Sequence, residues 1–199
     1  MSNKHFNQGN VWGRVMATKS GGFGSGNGTP ALTVHVDCSG AYGNIYAFGR
    51  IWGQEKIDAF FEFHRRNPDT VIKFTGFMSQ YFKGVKNYTN FSFYKWDAAM
   101  GQPPRAAFIL TGDVVSKAVK NDAGVITLKY VKPASNGYRA TSEDFELWFL
   151  DGGLYESFSP GQLIEVKGHM QQGAGEDEFG SATGEVRPIV KVVRVIESK

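Results

Sequence analysis

Much of this chain alternates with a period of two. In residues 31–38 (ALTVHVDC), Leu32, Val34 and Val36 face one way and Thr33, His35 and Asp37 the other. Residues 44–52 (NIYAFGRIW) alternate as strictly. Successive side chains of an extended chain point to opposite faces, so both stretches are predicted strands. Residues 11–18 (VWGRVMAT) make an earlier strand with a glycine inside it, where a close backbone approach or a bulge is expected. Residues 19–30 (KSGGFGSGNGTP) are a glycine-rich loop that matches neither GxxxxGK[ST] nor GxGxxG, which favours a hairpin loop over a phosphate cradle. The period changes at 54–67 (QEKIDAFFEFHRRN). There Ile57, Phe60, Phe61 and His64 share a helical face, its phenylalanines read as core anchors, and His64, Arg65 and Arg66 suit the negative end of the helix dipole before Pro68. Residues 70–82 and 88–96 are two further strands, joined by a short loop at 83–87.

After a Pro/Gly break (MGQPPR, 100–105) the pattern starts again. FILTGDVVSK (108–117) echoes NVWGRVMATK (10–19) with its glycine in the same register. VITLKYVKP (125–133) and EDFELWFL (143–150) echo the second and third strands, and LYESFSPGQ (154–162) takes the helix's place, shortened. QLIEVKGHMQQ (162–172) matches DTVIKFTGFMSQ (69–80) around a shared Gly-x-Met, and 185–197 closes the set. The expectation is an all-β chain, with at most one helix per barrel, built as two copies of one domain. An N-terminal domain at 1–100 and a C-terminal one at 106–199 flank a linker at 101–105. Five strands with a helix between the third and fourth is the plan of the OB-fold, a five-stranded Greek-key barrel.

The third strand carries the chemistry. Ile45, Ala47, Gly49 and Ile51 form a compact apolar side. Tyr42, Asn44, Tyr46, Phe48, Arg50 and Trp52 form the other, which mixes rings with a cation where a solvent face is normally polar. Rings stack on bases and cations meet phosphate. The competing explanation is a strand buried on both faces.

Charge sharpens this picture. Residues 1–100 hold 11 Lys/Arg against 6 Asp/Glu, and residues 101–199 hold 11 against 13, so the halves carry +5 and −2. The first half also has 19 of the 28 aromatic residues, so a polyanion is expected to bind mainly there. So modest an excess argues against coating duplex DNA. The lone Cys38 excludes an internal disulfide. The absence of a long apolar run and of a leader pattern predicts a cytoplasmic protein without membrane attachment (host cytoplasm if viral).

Gly13-Arg14, Ala47-Phe48-Gly49-Arg50 and Gly76, followed by Tyr81, Phe82 and Tyr88-Thr89, occur in the order and spacing of a known family. Over about residues 10–96 the chain resembles the bacterial-type single-stranded DNA-binding protein (SSB) family, an OB-fold family. The resemblance implies base stacking on Tyr42 and Phe48, a basic contact at Arg50, and an aromatic of the 4–5 hairpin at Tyr81 or Phe82. Three features depart from the family pattern: the second-strand tryptophan has no clear match, the domain is duplicated, and the chain ends VVRVIESK with no acidic tip. A tailless, duplicated member is more like a bacteriophage protein. Glu176-Asp177-Glu178 beside Phe179 reads as a solvated hairpin loop ahead of a substitute for that tip.

Binding without catalysis is therefore expected. Single-stranded DNA would stack on Tyr42, Tyr46, Phe48 and Trp52, with Tyr81 and Phe82 on the hairpin, while Arg14, Arg50, Lys73, Lys83 and Lys86 meet phosphates. Trp12, Tyr94 and Trp96 are further platforms or core residues. The acidic third strand of the second copy suits domain pairing, self-association or partner contact. The four histidines are dispersed, no metal-ligand spacing appears, and no cofactor is implied. Replication or recombination proteins are the expected partners, and both a pseudo-dimer of barrels and a four-barrel homo-oligomer suit the chain. Two alternatives stand beside this: an OB-fold subunit of a replication or virion assembly whose aromatic face meets protein, and an RNA-binding protein.

Overall fold

The computed structural model describes residues 5–20, 28–83, 86–132, 139–173 and 184–197, with only the backbone at 82–83 and 86–87. Among the described residues, two five-stranded barrels account for ten strands. The first comprises β1 (Phe6–Ser20), β2 (Ala31–Asp37), β3 (Tyr46–Trp52), β4 (Ile72–Lys83) and β5 (Lys86–Ala98), with α1 (Gln54–Arg66) between β3 and β4. The second comprises β6 (Arg105–Lys120), β7 (Ala123–Lys132), β8 (Thr141–Phe149), β9 (Leu163–Gln172) and β10 (Val186–Glu197), with α2 (Gly152–Glu156) between β8 and β9.

Each barrel closes the same way. β1 pairs antiparallel with both β2 and β4, β2 with β3, and β3 runs parallel to β5, beside β4. In the second, β6 pairs with β7 and β9, β7 with β8, β9 with β10, and β8 runs parallel to β10. This closed order, with a helix after the third strand, is the OB-fold. The compact units are Gly9–Ser79 with Tyr88–Ala106, and Met1–Gln8 with Gln80–Asn87 and Ala107–Lys199.

The barrels also agree in detail. The ladder slips by one residue between Val15 and Ala17 in β1, and between Val114 and Ser116 in β6. A bulge of this kind bends a strand and strengthens its twist, which helps a long first strand serve both sides of a barrel. Gly13 faces the Asp37 carbonyl and Gly112 the Lys129 carbonyl so closely that a Cβ would overlap either oxygen. The close approach expected of the first-strand glycine is therefore present twice. Gly76 and Gly168 repeat the device against the carbonyls of Ser92 and Ile189.

The first core gathers the inward residues Val11, Leu32, Val34, Val36, Ile45, Ala47, Ile51, Ile72, Phe74, Phe91 and Phe93. α1 buries Ile57 and Phe60, and Phe60 meets Trp96 edge-on at 5.4 Å between centroids. Trp96 therefore supports the helix and is only half-buried. Phe61 departs from the expected apolar face: it is exposed, because the buried stripe runs through Ile57 and Phe60 toward His64. α2 is short, as expected, but begins at Gly152, where the Asp151 carboxylate accepts the Gly153 and Leu154 N–H groups at 2.8 and 3.2 Å. The Lys117 ammonium donates to the carbonyl of Tyr155, in the last turn of α2, and to that of Phe158 just beyond it.

Candidate nucleic-acid interface

The β2–β3 hairpin sets the site. Gly40 and Gly43 exchange two backbone hydrogen bonds of 3.1 Å, Gly43 adopts a left-handed φ of 101°, and the Asp37 carboxylate accepts the Ser39 N–H at 2.9 Å. The chain then enters β3 at Tyr46, so Tyr42 lies in the turn before the strand and not on it. It is nonetheless exposed. The strict alternation from Tyr46 follows, with Ala47, Gly49 and Ile51 buried and Tyr46, Phe48 and Arg50 exposed. Gly49 is required because the Phe93 ring occupies the space its Cβ would fill. A side chain there would push Phe93 away and disturb the strand that aims Phe48 and Arg50 outward.

Tyr46 is 52% exposed and Phe48 43% exposed, which sets aside burial on both faces within this chain. His35 lies opposite Phe48 and meets its ring edge-on at 4.7 Å, 72° between planes, leaving the phenyl ring braced from one side. The Arg50 guanidinium lies 5.8 Å from the Trp52 ring centroid, and Trp52 is half-buried.

Register adds what the sequence pattern could not. Lys19 pairs with Thr33, Thr33 with Arg50, and Arg50 with Ser92, so one row crossing four strands carries two cations and no carboxylate. The sequence pattern puts Lys19 in the glycine-rich loop at 19–30, but β1 runs on through Ser20, and the bulge at Val15/Ala17 decides which face Lys19 joins. The row Arg14–Asp37–Tyr46 differs: an acid stands between the cation and the ring, and the Arg14 Nε donates to the Asp69 carbonyl at 3.3 Å.

Lys73 sits elsewhere on this barrel, on β4 opposite Trp12 of β1, with its ammonium 5.4 Å from the indole centroid and the Arg105 guanidinium 4.1 Å from that same centroid. Trp12 is thus a half-buried partner for two cations. Tyr81 is exposed but belongs to the compact unit of the second barrel. The side chains of Phe82, Lys83 and Lys86 and the whole of 176–179 lie outside the described residues.

Acid–base chemistry finds little here. The Cys38 thiol is buried, and its pKa is pushed up to about 12, mainly by that burial, so it stays protonated and unreactive near neutral pH. Among the described residues no group of three or more His, Cys, Asp or Glu comes together as a metal site, and no helix is long and apolar enough to cross a membrane.

No family model matches the chain, and no curated sequence matches it either. Solved structures do. The wild-type single-stranded DNA binding protein from Thermus aquaticus is 14% identical, with a TM-score of 0.59 over 98% of this chain and 95% of that one. A deletion mutant of the same protein is 15% identical, with a TM-score of 0.57 over 98% and 97%. What is shared is the fold. At such identity the likeness extends over nearly the whole of both chains, both barrels included, while the outward side chains are this chain's own.

Proposed function

We propose that this protein binds single-stranded DNA without sequence preference and has no catalytic activity. The observation that carries the proposal is the exposed Tyr46–Phe48–Arg50 row, rings alternating with a cation on an OB-fold third strand. Bases stack on Tyr46, Phe48 and Trp52, with Tyr42 at the mouth of the hairpin and Tyr81 and Phe82 on the 4–5 hairpin. Arg50 and Lys19 meet phosphates, joined by Arg14, Lys73, Lys83 and Lys86. Each stacked base contributes about 1–3 kcal/mol, and because every base has a π-face the preference among sequences is small. The setting that suits such a protein is the protection of exposed strands during replication or recombination of a bacteriophage genome in its host's cytoplasm. The likeness in fold to the single-stranded DNA binding protein from Thermus aquaticus supports this choice over a purely structural role.

The test is quenching of intrinsic tryptophan fluorescence by oligo(dT), at two salt concentrations, beside duplex DNA and oligo(U) of equal length. Strong quenching by the single DNA strand, weakened by salt and by Phe48→Ala, is the expected result. Stronger binding of oligo(U) would reassign the ligand to RNA. Silence toward every single strand would overturn the proposal and make the aromatic face a protein interface.

A further inference from the structure

Phe77 and Tyr94 form a second exposed aromatic pair on the first barrel. Along β4, Phe74 and Met78 are buried, so Phe77 points outward; along β5, Phe91 and Phe93 are buried, so Tyr94 does too. They are 47% and 43% exposed, and their rings meet at 5.1 Å between centroids with 47° between planes. An open pair of this kind has edges and faces left for a third ring. Nothing in the β-barrel plan demands a ring pair there, since the neighbouring outward positions include the small or polar Ser79, Asn90 and Ser92.

Its place is fixed by register. Arg50 pairs with Ser92, and Tyr94 is the next residue along the same outer row of β5. Strands lie about 4.8 Å apart and same-face residues about 6.8 Å apart, so Tyr94 stands about 8 Å from Arg50, near the reach of one nucleotide. The outward positions from Phe48 and Arg50 through Ser92 to Tyr94 and Phe77 carry no carboxylate, so an anionic backbone crosses β5 without repulsion.

Resting on the function proposed above, we infer that Phe77 and Tyr94 form a second stacking platform, taking the single strand as it leaves Phe48 and Arg50 across β5. The strand then runs transverse to the β-strands, and bases beyond those held on β3 stack against this pair.

A length series of oligo(dT), from about 4 to 20 nucleotides, separates the two platforms, since single-strand sites on one such barrel span about 4–16 nucleotides. Phe77→Ala/Tyr94→Ala should leave the affinity of the shortest binding oligomers unchanged and lower that of longer ones about tenfold or more, while Phe48→Ala weakens all lengths. Tyr94→Phe keeps the ring and should keep wild-type affinity at every length. Wild-type affinity of the double variant for long oligomers, with Phe48→Ala still impaired, would overturn the second platform and leave the function standing. Loss of self-association in the double variant, seen by sedimentation without any loss of DNA affinity, would overturn it in favour of a protein interface. Failure of the wild-type chain to bind any oligomer would overturn both.

Discussion

Phe48 and Glu146 occupy the same point of two barrels. Phe48 pairs with His35 and Glu146 with Thr127, each one step from the bulge-linked pairs Val15–Val36 and Val114–Leu128. By that register Tyr46 corresponds to Asp144 and Arg50 to Trp148. The inward positions of β3 and β8 stay buried and apolar in both, Ala47, Gly49 and Ile51 against Phe145, Leu147 and Phe149. The outward positions have diverged completely. Glu146 is paired with Lys120, and Trp148 is buried under the Arg187 guanidinium, 3.9 Å from its ring centroid. A barrel's inside fixes its fold; its outside is free to take on, or to give up, a ligand.

The largest expected effect comes from carrying the second barrel's face to the first. Tyr46→Asp/Phe48→Glu removes two stacks of about 1–3 kcal/mol each and adds two charges of the wrong sign, so affinity for oligo(dT) should fall a hundredfold or more. The reverse exchange, Asp144→Tyr/Glu146→Phe, should change affinity less than about threefold, because Trp148 and not a cation fills the place of Arg50. A large gain from the reverse exchange would break the contrast and show that a surface alone makes a binder.

How far this contrast was legible in the sequence depends on which physical feature set each part. Buried alternation and interior glycines are local, and they marked the strands and the close approach at Gly13. Tyr46, Phe48 and Arg50 were visible for the same reason. Lys19 was not, since its face is decided by a one-residue slip at Val15/Ala17 that only the ladder reveals. Phe77 lay hidden in an apolar-rich run, TVIKFTGFMSQYF, where the face of each ring depends on the barrel's closure. Tyr42 was assigned to the strand because the alternation runs past the turn that the Gly40–Gly43 bonds impose.

Alkaline pH probes the two barrels at another matched position. Cys38 follows Asp37, and Tyr130 follows Lys129, the residues whose carbonyls crowd Gly13 and Gly112. Burial raises the pKa of both groups, Cys38 from 9.0 to about 12. Above pH 9 the unfolded chain loses the thiol proton while the folded chain keeps it, so stability falls as pH rises toward 12. At about 1.4 kcal/mol per pH unit the loss approaches about 4 kcal/mol at the top of that window. Denaturant melts between pH 8 and 11 should show this slope, and Cys38→Val should remove it. Tyr130→Phe should remove a smaller loss that begins only above the ordinary tyrosine range. An unchanged slope in Cys38→Val would mean that the thiol is not held away from water.

The matched glycines give a smaller effect. Gly13→Ala and Gly112→Ala each force a methyl group against a backbone carbonyl, at a cost of about 1–3 kcal/mol. Similar losses of melting temperature are expected. A large inequality would mean that the two barrels tolerate strain differently despite their common ladder.

The smallest effect concerns the edge of β8. β10 reaches β8 at Trp148, and the backbone of Glu146 instead bonds the Gln80 side chain, its N–H donating at 2.8 Å and its carbonyl accepting at 3.2 Å. The Gln80 N–H donates in turn to the Glu143 carboxylate at 2.9 Å. Gln80→Ala should therefore cost about 1 kcal/mol, the ordinary worth of such bonds in a part-buried setting. Glu143 sharpens the test because its pKa is raised, first by burial, with the Gln80 N–H and Lys132 opposing. A carboxyl that holds its proton more tightly when folded favours the fold most at low pH. That contribution is lost as pH climbs from the ordinary carboxylate value through the raised one. Glu143→Gln keeps an acceptor for the Gln80 N–H and has no charge to bury. It should match the wild-type chain in acid and exceed it slightly in stability at neutral pH, as read from denaturant midpoints. A Glu143→Gln chain less stable than wild type at neutral pH would show that the carboxylate's charge strengthens the Gln80 bond by more than burial costs it.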